Sequence, residues 1–107
     1  MDFSIYGIVV RGKGYGRKLG FPTVNLDADA KDIPVGVYAG KGIINRKIYR
    51  AAIIISEGKS EAHLLGYRGD AYGKEVTLKL KKFLREYKNF NSEKELIDQI
   101  VKDIKKC

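Results

Sequence analysis

The segment Val37–Ser56, VYAGKGIINRKIYRAAIIIS, decides the fold of this chain. Two runs rich in β-branched and aromatic residues, Val37 to Ile44 and Lys47 to Ser56, flank Asn45-Arg46. That pattern reads as two strands joined by a tight turn. Working toward the C-terminus, Glu57-Gly58-Lys59-Ser60 reads as a second short turn leading into a strand from Glu61 to Tyr67. Arg68-Gly69-Asp70 is a turn signal, and Val76, Leu78 and Leu80 alternate with polar residues as a half-buried strand does. The alternation slips at Lys81-Lys82 and resumes at Phe83, which predicts a bulge or strong bend. Toward the N-terminus, Phe3 to Arg11 reads as a strand, residues 12 to 20 as a glycine-rich loop, Thr23 to Leu26 as a short strand and Asp27 to Pro34 as a loop.

The period changes at the end of the chain. Ser92 precedes Glu95 by three residues, the capping-box spacing. Leu96, Ile97, Ile100, Val101 and Ile104 then fall on one helical face. Short antiparallel strands followed by one helix predict a mainly β fold: a six-stranded antiparallel closed barrel, which leaves no sheet edges, with one C-terminal α-helix covering it. Residues 1–107 suffice for one domain with one core.

Composition narrows the function classes. Hydrophobic residues make up 44% of the chain, and the one cysteine, Cys107, excludes an internal disulfide. Met1-Asp2-Phe3-Ser4 carries no basic leader, and the apolar run Ile8-Val9-Val10 is far too short to span a bilayer, so a cytoplasmic protein is expected. The formal net charge is +8, from 21 Lys and Arg against 13 Asp and Glu. Such an excess attracts anions in general, from nucleotide phosphates to nucleic acid. The lysines of the last third read as a solvated surface; Arg11, Lys13, Arg17 and Lys18 stand instead among glycines.

That second group belongs to the stretch Gly12–Asn25, GKGYGRKLGFPTVN. Glycines two apart can take positive φ and let backbone N–H groups converge on an anion. Pro22 precedes Thr23 and Asn25, whose side chains share a face if the segment is extended. A hydroxyl and an amide oxygen on one face suit Mg²⁺, which takes few protein ligands and keeps phosphates and water for the rest. No GK[ST] opens a helix here, so the stretch is neither a Walker loop nor a dinucleotide fingerprint. From the residues alone, an anion site and a structural loop both remain open.

The same string resembles the signature of the riboflavin kinases (flavokinases) of bacterial and eukaryotic type: a glycine-rich turn, a basic residue, then Leu-Gly-x-Pro-Thr-Ala-Asn, with Val24 here in place of the alanine. The resemblance continues in order. Gly36-Val37-Tyr38-Ala39 is similar to the family's next strand and Glu61-Ala62-His63-Leu64 to its Glu-x-His strand. Asp70-Ala71-Tyr72-Gly73 is similar to its Asp-x-Tyr-Gly turn, and Leu84-Arg85 through Phe90 to the segment before its helix. The resemblance implies transfer of the γ-phosphoryl group of ATP to the 5′-hydroxyl of riboflavin, giving FMN, with Mg²⁺ or another divalent cation. It implies that Gly12, Arg17 and Thr23 contact ATP, that Thr23 and Asn25 hold the metal, and that Glu61 is the base. On the flavin side it implies Leu64, Gly66, Tyr72, Arg85, Lys88 and Phe90. His63 is expected to be structural, and the protein to be a monomer with no membrane and no nucleic-acid partner.

The chemistry suits those residue types. Phosphoryl transfer asks chiefly for positioning and charge neutralisation, and an aromatic ring offers a face to an isoalloxazine. The chain departs from the family after Ile53-Ile54-Ile55-Ser56, where only Glu57 to Ser60 stand before Glu61 in place of a longer loop and an Asn-Ile-Gly motif. The nucleotidyltransferase module of bifunctional FAD synthetases is not in the sequence, so a stand-alone or excised kinase that does not make FAD is expected. The shortened loop motivates one alternative, a flavin- or nucleotide-binding module without catalysis. The charge motivates another, a basic nucleic-acid-binding barrel.

Overall fold

The computed structural model describes residues 3–11, 23–87 and 92–107, without the side chains of Glu93 and Leu96. Six strands and a helix follow in order: β1 (Phe3–Val10), β2 (Val24–Leu26), β3 (Gly36–Ile44), β4 (Lys47–Ser56), β5 (Lys59–Leu64), β6 (Glu75–Arg85) and α1 (Glu93–Lys105). The strands are antiparallel and close into a barrel in the order β1-β2-β5-β4-β3-β6, as the sequence led one to expect.

Two turns set the register. Asn45 and Arg46 both have positive φ, 53° and 66°, as do Glu57 and Gly58, 53° and 74°. Two positive-φ residues in succession are the type I′ arrangement, whose twist matches that of the flanking strands. The second turn is therefore shorter than its polar composition suggests. Lys59 and Ser60 already belong to β5, pairing with Ser56 and Ile55, and the strand ends at Leu64 before Gly66 at φ 85°. Ser60 thereby brings a buried hydroxyl into the barrel that has no partner among the described residues.

The predicted bulge in β6 is present. Ala39 faces Lys82 and Gly40 faces Leu80, so the register steps over Lys81; a second shift between Val37 and Tyr38 steps over Leu84. The first bulge drives β6 onto β3. A Cβ on Gly40 would lie 1.9 Å from the Lys79 carbonyl oxygen, so only glycine fits there. The interior is aliphatic: Ile5, Val9, Val24, Leu26, Ile53, Ile55, Leu64, Val76, Leu78 and Leu80 form one cluster. Burying each of these side chains contributes roughly 1.5–3 kcal/mol.

Helix α1 begins where the capping box predicts, with the Ser92 hydroxyl accepting from the Glu95 amide at 3.2 Å. Its buried face differs from the apolar stripe. Val101 is 38% exposed while Asp103 is 5% exposed. Asp103 is held by Arg85 at the end of β6, whose Nη2 and Nε donate at 2.9 and 3.1 Å, and by Gln99 at 3.0 Å. The helix is tied to the barrel by this charge-assisted latch, and Val101 faces outward. Cys107 closes the turn, its thiol donating to the Asp103 carbonyl. Burial first, and then the Asp103 carboxylate, push the thiol pKa up, with Arg50 pulling it down; a thiol kept neutral is a poor nucleophile.

Candidate functional site

β2 is three residues long, yet it decides the site. Its register sets Asn25 opposite Glu61 of β5 and Val24 opposite Ala62. Val24 and Ala62 point into the core, so Thr23, Asn25 and Glu61 face outward by strand alternation. The Thr23 hydroxyl donates to Glu61 Oε1 at 2.7 Å. The three oxygen-bearing side chains singled out in the sequence thus meet on one patch of barrel wall. The Thr23 hydroxyl spends its proton on Glu61, which leaves its lone pairs for a cation.

Beside this patch, a cleft of about 620 Å³ opens where β1 ends and β2 begins, against the loop after β5. It is lined by Val9, Val10, Arg11, Thr23, Val24 and Asn25 on one side, and by Leu64, Tyr67, Arg68, Gly69, Asp70, Ala71 and Tyr72 on the other. The loop is tied to β1 at both ends of its final turn: Gly73 N–H donates to the Val9 carbonyl and Val9 N–H to the Lys74 carbonyl, each at 2.9 Å. Asp70 Oδ1 accepts from the Tyr72 amide at 2.9 Å, a local Asx turn. These bonds hold the Tyr72 ring at the mouth, 51% exposed. Tyr67 stacks edge-on against Tyr49, with centroids 5.5 Å apart.

The predicted residues divide accordingly. Thr23, Asn25, Leu64 and Tyr72 line the cleft. Glu61 stands one hydrogen bond behind Thr23, and Gly66 lies in the loop just after β5. Arg85 is engaged with Asp103 and with the Glu86 carbonyl. Gly12, Arg17, Lys88 and Phe90 lie outside the described residues. Arg11 and Tyr67 belong to the cleft without having been singled out for it. The signal for Arg11 was its place at the end of a strand just ahead of the glycines.

The donor set fits a metal held in part by substrate. Among the described residues no group of three or more His, Cys, Asp or Glu side chains could hold an ion. A hydroxyl and an amide oxygen with one carboxylate behind them is a sparse set, suited to Mg²⁺ that keeps phosphate and water ligands.

The comparisons bear on the family and the fold. A family model for flavokinase, described as riboflavin kinase, matches residues 1–107. The chain is 35% identical over 109 residues to the RNA-binding riboflavin kinase RibR of Bacillus subtilis, covering 94% of this chain and 47% of that protein. It is 35% identical over 112 residues to the bifunctional riboflavin kinase/FMN adenylyltransferase of Escherichia coli K12, covering 94% and 36%. The chain therefore spans half or less of the length of these relatives. Among solved structures, riboflavin kinase from Trypanosoma brucei superposes with a TM-score of 0.77 at 25% identity, over 97% of this chain and 73% of that one. The macrolide-efflux protein from Streptococcus pneumoniae gives 0.84 at 28% identity, over 95% of this chain and 37% of that one. The closed six-stranded barrel with its terminal helix is thus a riboflavin kinase fold. The chain belongs to the flavokinase, or riboflavin kinase, family.

Proposed function

We propose that residues 1–107 form one riboflavin kinase domain that moves the γ-phosphoryl group of ATP to the 5′-hydroxyl of riboflavin, giving FMN and ADP. The observation that carries this reading is the Thr23–Glu61 hydrogen bond, with Asn25 opposite Glu61 at the edge of the cleft. Thr23 and Asn25 would hold Mg²⁺, which when bound neutralises charge on the triphosphate oxygens. Glu61 spends one oxygen on Thr23 and offers the other to the ribityl hydroxyl, whose proton it takes as the phosphoryl bond forms. Gly12 and Arg17 join Thr23 on the nucleotide. Leu64, Gly66, Tyr72, Lys88 and Phe90 form the flavin side, and Arg85 serves it from its latch on Asp103. The domain acts as a monomer in the cytoplasm.

The test is FMN formation from riboflavin with ATP, CTP and GTP side by side, with and without Mg²⁺. Metal-dependent FMN formation is expected with ATP. The absence of turnover with every triphosphate would overturn the reading. Quenching of riboflavin fluorescence without FMN would favour a binding module instead.

A second reading rests on a separate observation. Arg50, Lys41 and Lys79 stand side by side across β4, β3 and β6, and one relative carries RNA-binding in its name. Contact of this row with RNA predicts binding whose affinity falls with salt at a log–log slope near −2, about −0.7 for each of three phosphates. Absence of RNA binding at about 50 mM salt removes this second function.

A further inference from the structure

The cleft holds a cation whose placement the riboflavin kinase reading leaves unexplained. Arg11 follows the last residue of β1, and its guanidinium carbon lies 4.3 Å from the centroid of the Tyr72 ring. Among the described residues no carboxylate pairs with it. Asp70, the acidic residue of the cleft lining among the described residues, turns one oxygen onto the Tyr72 amide. An arginine seated on a ring face is held in place without using its in-plane N–H donors. A guanidinium fixed in this way keeps its fork for a ligand.

Its position says which ligand. Val10 pairs with Asn25, so Arg11, one residue further on, reaches the level of Val24, between Thr23 and Asn25. On its other side stands Tyr72, held by the Val9–Gly73 and Val9–Lys74 backbone bonds. Arg11 therefore shares one cleft with Thr23 and Asn25, from the oxygen set proposed for metal and nucleotide, and with Tyr72, the ring proposed for the flavin. The group that passes between nucleotide and flavin in the proposed reaction is the transferred phosphoryl. After transfer it is the 5′-phosphomonoester of the product, a dianion to which a guanidinium binds through two parallel hydrogen bonds.

Resting on the riboflavin kinase reading, we propose that Arg11, steadied by Tyr72, is the phosphomonoester subsite of the cleft and makes it bind FMN more tightly than riboflavin. Arg68, the other cation of the cleft among the described residues, is not seated on a ring and plays no part in this discrimination.

Equilibrium binding of riboflavin and FMN, followed by flavin fluorescence on the full chain without nucleotide, tests it. The wild-type chain should prefer FMN. Arg11→Met should weaken FMN by about tenfold to a hundredfold, the range of charge-assisted hydrogen bonds, and leave riboflavin within about twofold. Arg11→Lys, which keeps the charge and loses the fork, should fall between, and Arg68→Met should change neither ratio. Equal loss of both flavins in Arg11→Met, unchanged FMN binding, or the selective loss appearing in Arg68→Met instead would overturn the subsite. So would a wild-type chain that binds both flavins equally, with the riboflavin kinase reading left standing. A wild-type chain that binds neither flavin would remove both.

Discussion

The two walls of the barrel are built differently. On one side, among the described residues, β2 meets β1 through Val9↔Leu26 and Val10↔Asn25, and meets β5 from Val24↔Ala62 to Leu26↔Ser60. On the other, β3 pairs with β4 without interruption from Gly36↔Ile55 to Ile44↔Lys47, and with β6 from Val37↔Arg85 to Ile43↔Thr77. Both walls line the same aliphatic interior. Their outer faces differ: Thr23, Asn25 and Glu61 on the short-laddered wall, Arg50, Lys41 and Lys79 on the long one. The candidate chemistry sits where the hydrogen-bonded ladder is thinnest, and the long pairing that resists unfolding lies elsewhere. Local stability within a fold is uneven in this sense, so catalysis and stability should respond to different substitutions.

The largest expected effect is on the thin wall. Glu61→Gln keeps an oxygen for the Thr23 hydroxyl and removes the base. FMN formation should fall by about 10²–10⁴, the usual worth of a positioned general base. Because the side chain is on the outer wall, stability should change by no more than about 0.5 kcal/mol. Rate and thermal melt are read on the same preparation. A surviving rate would break the assignment of Glu61, and a collapsed melt would break the separation of the walls.

On the long wall the reverse holds. Gly40→Ala sets a methyl 1.9 Å from the Lys79 carbonyl oxygen and 3.1 Å from Ile53 Cδ1. Neither neighbour is a free side-chain end, since one is backbone and the other is packed in the core. The substitution should cost about 1–3 kcal/mol, measured by urea unfolding, with flavin binding at the folded protein unchanged. A well-tolerated alanine would mean that the bulge at Lys81 relaxes easily.

The latch that ties α1 to this wall comes next. Asp103→Ala leaves Arg85 without its carboxylate. Arg85 is about one-fifth exposed and the aspartate nearly buried, so the loss should be about 1.5–3 kcal/mol, the range for hydrogen bonds to charged groups. Hydrogen exchange should show α1 opening before any strand. Exchange that rises equally in β1 and β2 would show the helix to be integral to both walls.

Much of this was legible in the sequence, for stated physical reasons. The Asn45-Arg46 hairpin, the bulge at Lys81 and the Ser92 cap are each announced by local pattern, and local pattern governs them. The meeting of Thr23, Asn25 and Glu61 was named through resemblance; periodicity alone could place Thr23 and Asn25 on one face but could not bring a residue 38 positions away onto it. Three features were missed, one to a concealed local turn and two to partners distant in the chain. The start of β5 at Lys59 follows from a two-residue turn that polar composition conceals. The outward turn of Val101 accompanies Asp103 finding Arg85, where an apolar stripe would have buried the valine. The seat of Arg11 on Tyr72 exists only because the loop after β5 folds back on β1.

The smallest effect bears most directly on why the long wall is basic. Lys41 lies directly opposite Arg50 on one side and Lys79 on the other, and like charges directly opposite in a ladder are destabilising. Lysines on a sheet often guard an open edge, but a closed barrel has no edge to guard. Lys41→Glu turns two repulsions into two attractions, each worth about 0.2–1 kcal/mol. The variant should melt a few degrees higher at low salt, at about 4–8 °C per kcal/mol for a domain near this size, and the gain should shrink as salt screens the pairs. Repeating the exchange in a Lys79→Met background should remove roughly half of it. If the variant is stabilised as expected and also loses RNA binding, the row costs the fold stability and serves a polyanion. If it is stabilised and no RNA bound in the first place, the row is a solvated surface, and the chemistry of this barrel lies wholly on the wall of Thr23, Asn25 and Glu61.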